Sequence, residues 1–284
     1  MKNSKFINKI EIKLNSPINL NETFNCGQCF RFNEVHDGIF CGVAFGKVLK
    51  LCTNGENLVL LNTSQEDIDL YWNDFFDLDL DYNTINKELS LIHPILNEAC
   101  KFAPGIRILK QDSWEALCSF IISQNNNIKR IKGIIESLCK NFGDKIEDNF
   151  YAFPSAKTLS TLSIDDLSSL KCGFRDKYIL DAAKKVASSE ISLEQIKDLP
   201  INEARNELMK IKGVGPKVAE CTLLYGMHRL EAFPLDVWMK RAMKYLFTDM
   251  SIDDFGKYAG IAQQYIFHYS RMHPDLFDKF KKEQ

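Results

Sequence analysis

The chain has 284 residues, 45% of them hydrophobic, enough for two compact units around a sizeable core. No run of about 18 apolar residues appears, so no transmembrane helix is expected. MKNSKFINKIEIKL at the start leads into neither an unbroken apolar stretch nor a small-residue cleavage site, which predicts a cytosolic protein, nucleoid-associated in a bacterium or nuclear in a eukaryote. The net charge of −2 argues only weakly against nucleic acid, because 8 Lys and Arg face 14 Asp and Glu in residues 1–100 but 28 face 24 afterwards, and a local phosphate-binding face depends on clustering rather than on the total.

The first 62 or so residues carry the β-type runs FRFNEV, IFCGVAF, VLKLCT and LVLLN. Polar turns with glycine (His36-Asp37-Gly38, Asn54-Gly55-Glu56-Asn57) separate them, as in antiparallel hairpins. Cys26-Gly27-Gln28-Cys29 is formally a CxxC, yet no second Cys or His pair stands at zinc-like spacing. Nine scattered cysteines, mostly inside apolar runs, read as reduced and buried thiols, and neither a metal nor another cofactor is expected. Ser64, with Asp67 three residues on, caps the helical SQEDIDLYWNDFFD.

From about residue 105 the period becomes helical. Asp112, with Glu115 at the capping-box position, heads SWEALCSFIISQ, and Asn125-Asn126-Asn127 breaks it. IKRIKGIIESLCKNF then runs to Gly143, a helix stop. RDKYILDAAKKVASS, INEARNELMKI, PKVAECTLLYGM, DVWMKRAMKYLF and DFGKYAGIAQQYIFHYSR read as further helices. The expected class is α+β: a β-rich N-terminal antiparallel-sheet domain with a flanking helix over residues 1–104, then a larger all-α domain over residues 105–284.

The most informative stretch is Leu208-Met209-Lys210-Ile211-Lys212-Gly213-Val214-Gly215-Pro216-Lys217, within a hairpin of helices over about residues 203–228. Glycines on both sides of Val214 permit positive φ and leave no side chain to fend off a ligand. The N–H groups of such a turn, beside a new helix N-terminus, make an anion site. This is a helix-hairpin-helix, a sequence-independent grip on the DNA backbone. A plain helical corner with glycine caps has the same pattern, and the hairpin specifies a surface rather than a reaction.

The chemistry comes from the residues just past the turn. Lys217 lies in the first turn of the second hairpin helix, where the dipole disfavours its positive charge and partial burial would add desolvation, as an amine nucleophile needs. Nineteen residues on, Phe233-Pro234-Leu235-Asp236-Val237 sets an acid just before a helix, where it is also an N-cap. Alone, each is ordinary. Together, G-V-G-x-K and the later P-x-D resemble the helix-hairpin-helix glycosylase superfamily, and a lysine at this hairpin position resembles its bifunctional glycosylase/lyases.

SFIISQNNNIKRI, CGQCFRF, KCGFRDKY and KYAGIAQQYIF narrow the resemblance to the 8-oxoguanine DNA glycosylases, over roughly residues 20–270. The resemblance implies catalytic roles for Lys217 and Asp236. It implies a base pocket of Gly27 through its carbonyl, Cys221, Gln263 and Phe267. Gln263 and Phe267 are four apart on one helix face, and Cys221 is one turn after Lys217. It implies DNA contacts by Gly213, Val214 and Gly215, with Asn125 filling the void, Arg130 and Arg175 on the estranged cytosine, and Phe174 as wedge. Read singly, Asn125 is equally a helix C-cap, the arginines solvated charge, and Phe174, Phe267 and Cys221 core.

Trp238 stands where the family carries a histidine, and no cysteine comes after Cys221, which excludes the iron–sulfur branch. The implied activity is excision of 8-oxoguanine, preferably opposite cytosine in duplex DNA, through a Schiff base on Lys217 with β-elimination, by a monomer without cofactor. The rivals are a glycosylase for another damaged purine and a non-catalytic DNA-binding protein that uses the hairpin alone. Lys212 and Lys240 are further expected phosphate contacts.

Overall fold

The computed structural model describes residues 8–283. Half of the segment that carries the expectation about a leader, residues 1–7 of 1–14, lies outside them. Among the described residues no helix is long and apolar enough to cross a membrane.

Five strands, β1 (Lys9–Lys13), β2 (Phe32–His36), β3 (Ile39–Ala44), β4 (Lys47–Asn54) and β5 (Asn57–Leu61), form an antiparallel sheet in the order β1-β5-β4-β3-β2. The period-2 alternation sets its register. Phe40 pairs with Leu51 and Leu51 with Leu60, so one face is apolar and packs on Phe24, Phe32, Trp72, Phe75 and Phe76. Sequence reading missed β1, whose every second residue is exposed, and α1 (Leu20–Asn25), a helix inside the region read as β. Asn19 starts α1 by accepting from the Glu22 N–H at 3.1 Å.

The rest is helical apart from a two-stranded ribbon, β6 (Lys145–Glu147) with β7 (Phe150–Tyr151). After the capped stretch that Ser64 opens come α2 (Tyr82–Ser90), α3 (Pro94–Phe102), α4 (Ser113–Ser123), α5 (Ile128–Phe142), α6 (Asp176–Ala187), α7 (Ile201–Met209), α8 (Pro216–Met227), α9 (Val237–Tyr245) and α10 (Ala259–Met272). Leu89 of α2 and Leu96 of α3 sit in the helical core, not under the sheet.

Two local expectations need amending and a third holds. The capping box at Asp112 is half formed: Asp112 accepts from the Glu115 N–H at 2.8 Å, but Glu115 pairs with Arg31 at 3.3 Å instead of returning. Gly143 does stop α5, in extended backbone, because a β-carbon there would sit 1.9 Å from the Ala152 carbonyl. The helix expected from Asp254 is broken by Gly256 at φ 65°, so a 3-10 stretch (Ile252–Tyr258) precedes α10.

Candidate active site

Helices α4 and α8 run antiparallel. The Ser113 hydroxyl donates to the Gly226 carbonyl at 2.7 Å at one end, and Lys217 Nζ donates to Ser123 Oγ at 2.9 Å at the other. This brings the asparagine turn after α4 beside the start of α8. Phe30, Phe120 and Tyr225 form an aromatic floor there, and Lys217 Nζ lies 5.1 Å from the Phe120 ring centre.

The turn between α7 and α8 uses its two glycines differently. Gly213 has φ +79°, and a β-carbon there would meet the Tyr178 ring at 2.3 Å. Gly215 has φ −99° and serves as N-cap of α8, ahead of Pro216 at the first helical position. A β-carbon on Gly215 would meet nothing within 4 Å, so this glycine leaves the surface bare. The Val214 N–H is bonded to Ile211 at 3.0 Å and that of Lys212 to Asp181 at 2.7 Å. No described residue accepts from the N–H groups of Gly213 and Gly215.

Asp236 caps α9, accepting from the Met239 N–H at 2.8 Å. Burial raises its carboxyl above the usual range, against the pull of the Met239 N–H and the Lys217 charge. Behind it, the buried Glu220 accepts from the Phe233 N–H at 2.7 Å and pairs with Arg205, so α8 itself fixes the segment leading to Asp236. Clefts of about 660, 480 and 300 Å³ meet at Lys217. The smallest opens also onto Asp236, Trp238, Gly27, Phe267 and Arg271. Lys240 borders the other two, and Trp238 lines the 480 Å³ cleft as well.

Gly27 reaches this cavity because Gln28 anchors its loop. The Gln28 side chain, wholly buried, donates to the Arg107 carbonyl at 2.7 Å and accepts from the Leu109 N–H at 2.9 Å. Gly27 has φ +90°, and a β-carbon on it would lie 3.5 Å from the Phe267 ring. Gln263 is buried one turn before Phe267, its Oε1 3.4 Å from the Tyr225 hydroxyl, which donates to the closer Gln264 Oε1 at 2.5 Å. Cys221 is buried against Lys217, and burial pushes its thiol up to about 11.

Of the expected DNA-contacting side chains, Asn125 borders one of these clefts. Asn125 is exposed at φ 46°, Arg130 is exposed and donates to the Lys171 carbonyl at 3.1 Å, and Phe174 is 46% exposed. Arg175 differs: it is 4% exposed and donates to the carbonyls of Gln124, Asn125 and Cys172. It therefore holds the asparagine turn in shape. Sequence reading gave no role to Gln28, Ser123, Gln264 or Arg271. The signal for Arg271 is its place one turn beyond Phe267.

Residues 9–117 match the family described as 8-oxoguanine DNA glycosylase, N-terminal domain, and residues 118–254 the HhH-GPD superfamily of base excision DNA repair proteins. The structure of MBOgg1 in complex with a low affinity DNA ligand superposes with TM-score 0.90 at 44% identity, over 94% of this chain and 96% of that one. The 8-oxoguanine glycosylase/lyase of Clostridium acetobutylicum, without DNA, gives 0.86 at 40% identity over 92% and 96%. The N-glycosylase/DNA lyase of Saccharomyces cerevisiae is 40% identical over 160 residues, 51% of this chain and 43% of the yeast protein. The chain therefore belongs to the 8-oxoguanine DNA glycosylase family of the HhH-GPD base excision repair superfamily, as a bifunctional N-glycosylase and AP lyase.

Proposed function

We propose that this enzyme removes 8-oxoguanine from duplex DNA, preferably opposite cytosine, through an imine on Lys217 and then β-elimination. The observation that carries the reading is one cavity lined by Lys217 and Asp236 together with Gly27 and Phe267. The glycosidic carbon is inaccessible inside a duplex, so the nucleotide is extruded into this cavity. The Lys217 amine gives up a proton and attacks C1′, and the C1′–N9 bond breaks with its electron pair leaving on the base, which takes up a proton. Ring opening yields the imine. Loss of a C2′ proton then expels the 3′ phosphate. Asp236 stabilises positive charge on the sugar.

Backbone N–H groups at Gly213 and Gly215 suit a DNA phosphate. A relative from Clostridium acetobutylicum, 38% identical with TM-score 0.86, was solved with duplex DNA containing cytosine opposite 8-oxoguanine. Arg130 has donors to offer an unpaired cytosine, while Arg175 acts through the shape of the turn. The Gly27 carbonyl accepts from N7–H of the lesion and opposes the N7 lone pair of guanine, a difference of roughly 2–4 kcal/mol. The protein acts as a monomer.

Borohydride trapping on duplexes with 8-oxoguanine opposite each of the four bases tests this reading. The wild type is trapped covalently, most with cytosine, and Lys217→Gln loses trapping and strand cleavage by about 1,000-fold or more. Undiminished cleavage by Lys217→Gln overturns the mechanism, and equal rates across the four bases overturn the cytosine preference.

A further inference from the structure

The Nη1 of Arg271 is a buried guanidinium nitrogen with no hydrogen-bond partner, and Arg271 forms part of the wall of the cavity shared by Lys217 and Asp236. Burying such a donor without an acceptor is costly. Arg271 lies one helical turn beyond Phe267 on α10, and its guanidinium carbon is 5.3 Å from the Phe267 ring centre. Nη1 is 3.8 Å from where a β-carbon on Gly27 would stand.

The backbone beside it is similarly unmatched. The carbonyls flanking Gly27 are taken, that of Cys26 by Gln264 at 3.2 Å and that of Gln28 by Gln111 at 2.8 Å. No described residue donates to the carbonyl of Gly27 itself. An unused acceptor on Gly27 and an unused donor on Arg271 thus lie in the same wall, beside the Phe267 ring.

We propose that Arg271 is a specificity-determining residue, its Nη1 donating to the C8 carbonyl oxygen of the extruded purine while the Gly27 carbonyl accepts from N7–H. The proposal rests on the reading of the cavity as an 8-oxoguanine pocket. The H–N7–C8=O edge of the lesion is a lactam, a donor next to an acceptor, which is the complement of this pair. With the Gly27 carbonyl opposite N7, guanine presents a lone pair to the carbonyl and a C–H to the guanidinium, so both protein groups stay unmatched. The flat guanidinium on the Phe267 face keeps the donor in the plane where a base would stack.

The test measures binding of Lys217→Gln and Lys217→Gln/Arg271→Met to duplexes carrying 8-oxoguanine or guanine opposite cytosine. Arg271→Met with Lys217 intact is also assayed on the lesion and on a pre-formed abasic site. The ratio of lesion to guanine affinity falls at least tenfold in the Met variant. Its rate loss on the lesion exceeds its loss on the abasic strand at least tenfold, since that strand has no base to recognise.

An unchanged affinity ratio overturns the proposal, and so do equal losses on lesion and abasic DNA, which would assign Arg271 to the phosphate backbone or to Asp236. If the Met variant does not fold, Arg271→Lys replaces it. The shorter ammonium cannot reproduce the planar donor, so the ratio drops at least threefold, and an unchanged ratio again overturns the proposal. Absence of any lesion preference in Lys217→Gln itself would remove the 8-oxoguanine reading, and this inference with it.

Discussion

The two walls of the proposed catalytic cavity are built in opposite ways. The reactive wall comes from one continuous stretch, Gly213 to Asp236, fixed by local devices: a positive φ at Gly213, Pro216 opening a helix, Glu220 gripping the Phe233 N–H, and Asp236 capping α9. The recognising wall joins Gly27 to Phe267, segments 240 positions apart in the chain, through buried amide side chains. Gln264 bonds to the Cys26 carbonyl, and Gln28 to the backbone of Arg107 and Leu109. On the proposed function, chemistry is thus encoded locally and recognition by tertiary contact, so substitutions in the two walls are expected to separate cleavage of an abasic strand from excision of a base.

The sharpest break in that separation is Asp236→Asn, which strikes the reactive wall and lowers both activities by about 100-fold or more. Its effect on stability has the opposite sign. Burial raises the Asp236 carboxyl above 3.8 in the folded state, so the fold favours the protonated form. That contribution is present at pH below the unfolded value and is lost as pH rises through the raised one. Asparagine keeps the cap without the charge. At pH 7 the variant unfolds at a temperature no lower than wild type, and a clear drop in thermal denaturation would contradict this account.

Gln264→Leu tests the recognising wall. It removes the acceptor for the Tyr225 hydroxyl and the donor to the Cys26 carbonyl, costing about 1–3 kcal/mol in denaturant unfolding. Base excision falls about tenfold while abasic-strand cleavage falls less. Equal losses would show that the walls do not act separately.

The smallest effect sharpens the comparison within the hairpin. Gly213→Ala forces a β-carbon into the Tyr178 ring at positive φ and destabilises by about 2 kcal/mol or more. Gly215→Ala leaves stability within about 0.5 kcal/mol but weakens binding to undamaged duplex several-fold, because its methyl stands where a phosphate would approach. Loss of stability at Gly215 and not at Gly213 would reverse the assignment.

The same division explains what could be read from the chain. Lys217, Asp236 and the hairpin were legible because spacing, glycine and capping chemistry fix local geometry, and the sheet was legible from its alternation. The loop at Gly27 was found only by resemblance. The residue that holds it, Gln28, has its partners at Arg107 and Leu109, and no periodicity records a contact across some eighty positions. Helix α1 was overlooked because LNETFN is one turn and a half between β-type runs. Arg175 is placed on the estranged cytosine only by the resemblance and reads singly as solvated charge, whereas its acceptors are the carbonyls of a turn fifty residues earlier.

The cysteines give the molecule a chemical durability of its own. All nine are unbonded and eight are buried. Burial pushes the thiols of Cys26, Cys139 and Cys172 up to about 12 and those of Cys29, Cys100 and Cys221 up to about 11. At neutral pH a thiol of pKa about 11 is ionised to roughly one part in 10⁴, against a few per cent for a free cysteine, and peroxides attack the thiolate. The sulfur packed against Lys217, that of Cys221, is among those silenced. 8-Oxoguanine is itself made by oxidants, so an enzyme that excises it works in their presence, and the packing that builds its cavity also keeps its own sulfur from reacting.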